Sequence, residues 1–230
     1  MAATLVQWVD RQAWFHAVVR GLRLRALVAR WLRFRPLVRS YPSGTRVEVA
    51  DLESFYLGDE IFGRETYRPA LAQAGEVRTV MDLGCNVGFF CCYLRHFFGR
   101  ADFAGVGIDA NPAVLARARR NLDLNGLTNI RLHHGLVGGD AEKATQEFHL
   151  YPSHLGSSQF LETEKGRVAK GEWTRIAAPV LQAGAVWRAE QGDKPIDLLK
   201  IDIEGSEGKL LRSDPALFRQ AKHIVLEWHR

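Results

Sequence analysis

The sequence is poor in cysteine, and it holds no long apolar run. Three cysteines, Cys85, Cys91 and Cys92, serve 230 residues. An odd number set so close together gives no disulfide framework, and the spacing matches no zinc pattern. Buried thiols in a reducing cytoplasm are the expectation, and cytoplasmic is the expected location. No apolar run approaches the roughly 18 residues of a membrane span. The opening stretch MAATLVQWVDRQAWFH has no basic head, apolar block or small-residue cleavage site of a secretory signal. Serine is nearly absent before Ser40, which disfavours a transit peptide. Acids are scarce there too: within residues 1–40, Asp10 stands alone against eight arginines.

What is present divides unevenly. The whole chain carries +5, the first 40 residues carry +7, and the remainder is therefore −2. A uniformly basic nucleic-acid binder is excluded. The expected organisation is a basic helical extension over 1–40 and one main domain over 41–230. From Leu5 to Leu37 the extension has one glycine, Gly21, and no proline before Pro36, which permits one or two helices. Leu5, Trp8 and Val9, then Val18, Val19 and Leu22, recur at helical spacing. Its mixed arginine and tryptophan would suit peripheral contact with an anionic membrane. A solvated amphipathic helix packed on the main domain is the plainer reading.

Beyond Tyr41-Pro-Ser-Gly44, which reads as a turn, TRVEVADL alternates like a strand and DEIFGRETY reads as a short helical segment. Strand, turn and helix then repeat. TVMDL is a strand and GFFCCYLRHFF a helix; AGVGID is a strand, and PAVLARARRNLDLN a helix opened by Pro112. NIRLHHGLV, IDLLKID and HIVLEW supply the third, fourth and fifth strands. The pattern predicts an α/β fold with a mostly parallel, doubly wound sheet. Residues 138–192 are less regular, with strands expected near Glu147–Tyr151 and Arg175–Val180.

In such a sheet, ligands bind beyond the carboxyl ends of the strands. Three of those ends are acidic: Asp82, Asp109, and Asp202 with Glu204 just after it. Gly84 and Gly88 allow close backbone approach, and asparagine tolerates the left-handed backbone that Asn86 must adopt between them. Asp109 lies at the second strand end, where a carboxylate accepts from both ribose hydroxyls. A nicotinamide dinucleotide and S-adenosylmethionine both offer ribose to a glycine loop. The dinucleotide needs closely spaced glycines for its pyrophosphate. S-adenosylmethionine carries an ammonium and a sulfonium, and Asp82 at the head of the loop favours it.

MDLGCNVGFF, GIDANPAVLARARRNLDLNGLTNIRLHHGLVG and IDLLKIDIEGSEGKLL together resemble the FkbM-type S-adenosylmethionine-dependent methyltransferases, over about Glu60 to Glu227. The resemblance implies a Rossmann-like class I methyltransferase sheet and O-methylation of a hydroxyl on a sugar, glycolipid or other natural product. It implies that the loop of Asp82, Gly84, Cys85, Asn86, Gly88 and Phe89 cradles the methionine part. Asp109 would hold the ribose with Asn111 beside it, Leu136 would lie near the adenine, and Asp202 and Glu204 would face the transferred methyl and the acceptor. An alcohol is a poor nucleophile, so a base is needed. Asp202 is the first choice, followed by Glu204, Glu227 and His229, and Lys200 joins the catalytic candidates as a partner for a carboxylate or, equally, as a structural residue.

Asp202 with Glu204 could hold a divalent cation, but two carboxylates do not make a site, and no metal is assigned. His133, His134, His149 and His154 form no ligand spacing. His133 and His134 should face opposite sides of a strand, and His154, near LGSSQF, is a candidate for the acceptor side. The family usually continues past the fifth strand through a helix and an antiparallel strand pair, and VLEWH is followed by Arg230 alone. That strand is expected to be an edge, covered by the basic leader or by a second copy in a homo-oligomer. Three other readings stand behind the leading one. They are a nucleic-acid methyltransferase, which lacks its Asn/Asp-Pro-Pro-aromatic turn here, a cofactor-binding protein without turnover, and a nicotinamide oxidoreductase.

Overall fold

The computed structural model describes residues 30–32, 34–150 and 174–229. The expected leader helices before residue 30, with the membrane contact assigned to them, lie outside the described residues, as do His154 and LGSSQF. Among the described residues no helix is long and apolar enough to cross a membrane.

The first strand pair departs from one expectation. Leu37–Ser40 forms strand β1 and not the end of a helix. It pairs antiparallel with β2, Arg46–Val49, so a hairpin spans the expected boundary at residue 40. The turn is the anticipated one, with the Gly44 N–H donating to the Tyr41 carbonyl at 2.9 Å. Helix α1, Leu52–Gly58, follows a capping box in which Asp51 accepts from the Ser54 N–H. It runs into a π-helical turn, Asp59–Gly63, and then α2, Arg68–Ala74.

Strands β3 (Thr79–Leu83), β4 (Ala104–Asp109), β5 (Ile130–His134), β8 (Ile196–Ile201) and β9 (Ala221–Leu226) form one parallel sheet in the order β5-β4-β3-β8-β9. Strands β6 (Thr145–Leu150) and β7 (Thr174–Pro179) make a separate antiparallel pair, close to where strands were expected. The central β3 and β8 are buried along their whole length, as a sheet covered on both faces requires. Adjacent residues feed opposite cores. Val80 and Leu198 join Phe89, Phe90, Tyr93 and Leu122 on one side. Met81 and Leu199 join Trp187, Leu210 and Leu217 on the other. Helices α3 (Phe89–Phe98) and α4 (Pro112–Leu124) cover the first face. Helices α5 (Ala183–Gln191), α6 (Glu207–Ser213) and α7 (Pro215–Gln220) cover the second. Among the described residues β9 has a single strand neighbour, β8, and Ile224 and Leu226 on it are exposed.

Two asparagines tie the hairpin to this frame. Asn121, fully buried in α4, accepts from the Glu48 N–H at 2.7 Å and donates to the Val87 carbonyl at 2.8 Å. Asn125, after the same helix, accepts from the Arg46 N–H and donates to its carbonyl. One amide thus joins β2, α4 and the glycine loop. Asn121→Ala should lower stability by about 2–4 kcal/mol, because it leaves a backbone donor and a backbone acceptor without partners. Urea denaturation would read this as a lower midpoint at an unchanged slope, and an unmoved midpoint would refute the role.

Candidate active site

The turn after β3 is built to approach other backbone. Gly84 has φ +74°, and a Cβ placed there would sit 1.8 Å from the Asp202 carbonyl oxygen, so only glycine fits. Its N–H donates to the Ile108 carbonyl at 2.9 Å, and the Asp202 N–H donates to the Leu83 carbonyl at 3.0 Å. The carboxyl ends of β3, β4 and β8 are thereby laced together. Asn86 takes φ +46°, the left-handed conformation expected of it, and its N–H donates to Asp109 Oδ2 at 2.8 Å. Asp109 Oδ1 accepts from the Asn111 N–H at 2.8 Å. Burial pushes the Asp109 carboxyl up, opposed by those two N–H donors. The Asn111 side chain caps α4 by accepting from the Ala113 N–H.

A cleft opens over these strand ends. Of the residues expected to hold cofactor, Gly84, Asn86, Asp109, Asn111, Leu136 and Asp202 line it, as does Glu204. Asp82, Cys85, Gly88 and Phe89 do not, and each has a physical reason. Cys85 is buried against Gly107. Phe89 is buried edge-on to Phe62. Gly88 starts α3 in the left-handed region and abuts Ala118. Asp82 is wholly buried beneath the turn and faces a cation of the chain itself.

That cation is Lys200, whose side chain is 6% exposed. Its Nζ donates to the Gly84 carbonyl at 2.8 Å and lies 3.4 Å from Asp82 Oδ1 and 3.3 Å from Asp202 Oδ2. Burial alone would lower the Lys200 ammonium, but Asp82 and Asp202 overcome it and hold the group well above its ordinary value. Burial pushes Asp82 up, with Lys200 opposing.

Beside Asp202 the structure gathers Glu204, Glu227 and His229, the sequence's other base candidates. His229 Nε2 is 3.5 Å from Glu227 Oε1 and 3.8 Å from Glu204 Oε2. Its Nδ1 is 3.1 Å from Glu207 Oε1, an oxygen that also accepts from the Ile203 and Gly205 N–H groups. Burial first, then the Asp202 charge, pushes Glu204 up to about 7, with His229 opposing. That places Glu204 in the range where a carboxylate exchanges protons near neutrality. Burial and Asp202 also raise Glu227. Burial would lower His229, but Glu207 and Glu204 raise it.

Sequence reasoning missed several neighbours. Ile108, Val137 and Phe148 supply apolar cleft wall. Phe148 comes from β6, inside the segment whose pattern was least regular. Tyr67, ahead of α2, is pushed up to about 12 by burial, with Lys200 opposing and the acids Asp202, Asp82 and Glu227 adding to the rise. No local signal marks it, since only the tertiary fold brings it to this group. His133 and His134 diverge as expected, the first to Glu190 at 3.0 Å and the second to the Ala110 carbonyl at 3.0 Å. His149 is buried on β6 against Glu147.

The cleft suits a cationic, ribose-bearing cofactor. Among the described residues the charged groups lining it are Asp109, Asp202 and Glu204, with no lysine or arginine, so a pyrophosphate would meet only acids. The buried Asn86 Oδ1 has no partner among the described residues, which leaves an acceptor for a ligand's donor. Asp109 retains lone pairs for hydroxyls beyond its two N–H donors, and the apolar wall suits a base.

Comparison with known proteins agrees with this geometry. The pattern described as the Methyltransferase FkbM domain matches residues 82–230. Methyltransferase 1 of Beauveria bassiana (strain ARSEF 2860) is 23% identical over 175 residues, which cover 71% of this chain and 68% of that protein. Methyltransferase sdnD of Sordaria araneosa is 23% identical over 204 residues, 78% of this chain and 76% of that one. Among solved structures, a SAM-dependent methyltransferase from Thiobacillus denitrificans in complex with S-adenosyl-L-homocysteine shares 21% identity. That alignment has a TM-score of 0.26 and covers 39% of each chain. The chain belongs to the FkbM family of S-adenosylmethionine-dependent methyltransferases.

Proposed function

We propose that the chain is an O-methyltransferase acting on a hydroxyl of a small acceptor, a sugar, glycolipid or other natural product, with Glu204 receiving the hydroxyl proton. The observation that carries this reading is the carboxylate group at the mouth of the cofactor cleft, where Asp202 and Glu204 line the cleft and Glu227 and His229 stand behind them. An amine acceptor needs little help to attack, whereas an alcohol needs a base within hydrogen-bonding reach. Glu204 takes precedence over Asp202 because the Lys200 ammonium holds an oxygen of Asp202.

In this reading Asp109 and Asn111 hold the ribose, the Gly84–Asn86 turn holds the methionine part, and Leu136, Val137 and Phe148 enclose the adenine. S-adenosylmethionine supplies an electrophilic methyl group. Asp82 acts one layer below, through Lys200, which positions the turn and Asp202. The acid side chains bring the acceptor oxygen to the cleft mouth, and such placement supplies much of the rate. The hydroxyl proton passes to Glu204 and then directly to solvent, to which that side chain is 34% exposed.

Two substitutions and one product analysis test this. Asp109→Ala should weaken S-adenosylhomocysteine binding by calorimetry about ten- to a hundredfold, as expected for loss of charge-assisted hydrogen bonds; unchanged affinity would remove Asp109 from the ribose site. Glu204→Gln should lower kcat roughly 10²- to 10⁴-fold, the usual worth of a general base, with S-adenosylhomocysteine affinity retained. A kcat within a factor of two of the native value would discard Glu204 as the base. A cell extract incubated with the protein and methyl-labelled S-adenosylmethionine should yield a labelled methyl ether. A labelled amine or nucleic acid as the product would overturn the hydroxyl assignment.

A further inference from the structure

Three residues from two strand ends converge at the outer edge of the cleft. One ligand atom each from Asp202, Glu227 and His229 lies within 4.8 Å of the others. Asp202 follows β8, and Glu227 and His229 follow β9. Adjacent parallel strands therefore deliver two oxygens and one nitrogen to one point.

The histidine makes this more than an acidic cluster. Glu207, with its side chain 2% exposed, accepts two backbone N–H bonds on the same Oε1 that meets His229 Nδ1. A carboxylate so placed requires Nδ1 to donate, which fixes the ring's orientation and gives Nε2 a lone pair whenever the ring is neutral. That lone pair faces Glu227 at 3.5 Å and Glu204 at 3.8 Å. Either a proton on Nε2 or a cation can balance these carboxylates, and a bound cation takes the proton's place. A buried carboxylate orienting an imidazole from behind is also how metal-binding histidines are held. Lys200 takes Oδ2 of Asp202 at 3.3 Å, which leaves its second oxygen for a cation on the outer side.

We propose that Asp202, Glu227 and His229 form a binding site for a divalent cation that accepts mixed oxygen and nitrogen donors, of the Mn²⁺ or Mg²⁺ type, at the acceptor side of the cleft. Three protein donors leave about three positions of an octahedral shell. Water or two neighbouring hydroxyls of an acceptor can fill them. A hydroxyl bound there becomes more acidic, which lightens the demand on Glu204. This role toward the acceptor rests on the O-methylation reading above, whereas cation binding itself does not.

The test is titration of the full chain with Mn²⁺, followed by electron paramagnetic resonance of the free ion, without acceptor. One Mn²⁺ per chain is expected, and Glu227→Gln and His229→Ala should each weaken it at least about tenfold. Glu227 is 60% exposed, so its isosteric replacement is not expected to disturb folding, and S-adenosylhomocysteine binding measured on the same samples checks this. Absence of Mn²⁺ binding at millimolar concentration, or equal binding by native and both variant proteins, would overturn the site. Mn²⁺ bound at this site with no labelled methyl ether formed would refute the hydroxyl reading and leave the cation site standing.

Discussion

A single buried ammonium holds the catalytic end of this sheet together. Lys200 reaches from β8 across to the turn after β3, where it donates to the Gly84 carbonyl and lies between Asp82 and Asp202. Each partner depends on it. Asp82 is wholly buried, and without a cation its charge would be unsupported. Breaking such a pair from one side typically costs ~3–5 kcal/mol, because an uncompensated buried charge remains. The same contact fixes the Gly84 carbonyl, and through it the backbone that passes within a Cβ's width of Asp202. Cofactor turn and acid cluster are therefore one mechanical unit, set by one side chain.

That unit also explains how charge is distributed. The sequence suggests that Asp82 would answer the cofactor's cations directly, but the fold gives it Lys200 instead. Acids that line the cleft lie one layer further out, at Asp109, Asp202 and Glu204. Asp82 and Lys200 largely cancel, so the field in the cleft is that of the outer acids. A cation entering the cleft meets that net negative charge without having to displace Lys200.

Much of this was legible in the sequence, because the information was local. Strand ends at Asp82, Asp109 and Asp202, the helix opened by Pro112 and the left-handed Asn86 each follow from a few neighbouring residues. What escaped was set at long range. Leu37-Val-Arg-Ser40 has no strong preference of its own, and it becomes a strand only because β2 pairs with it, while Asn121 and Asn125 anchor β2 in turn. Phe148 reaches the cleft from an antiparallel pair whose alternation is weak. Tyr67 lies 135 residues before Asp202 in the chain, a distance across which no periodicity carries information; it is the packing of α2 against β9 that brings it in.

Backbone strain points to the same end of the sheet. Asn86, Glu204 and Glu65 are the non-glycine residues with positive φ among those described, and the first two line the cleft. Asparagine adopts that conformation readily; glutamate does not, and the penalty is about 1–2 kcal/mol. At φ +51°, followed by Gly205 at φ +92°, Glu204 turns the chain sharply. Glu207 can then fold back onto the Ile203 and Gly205 N–H groups and hold them. Glycine at 204 would relieve the strain and keep the turn. A glutamate in that conformation argues that the position exists for its carboxylate, and a strained residue held by a neighbouring network is the form in which sites of chemistry commonly store their cost. Glu207 thus serves two purposes with one oxygen, securing the strained turn that presents Glu204 and setting the imidazole of His229 behind it.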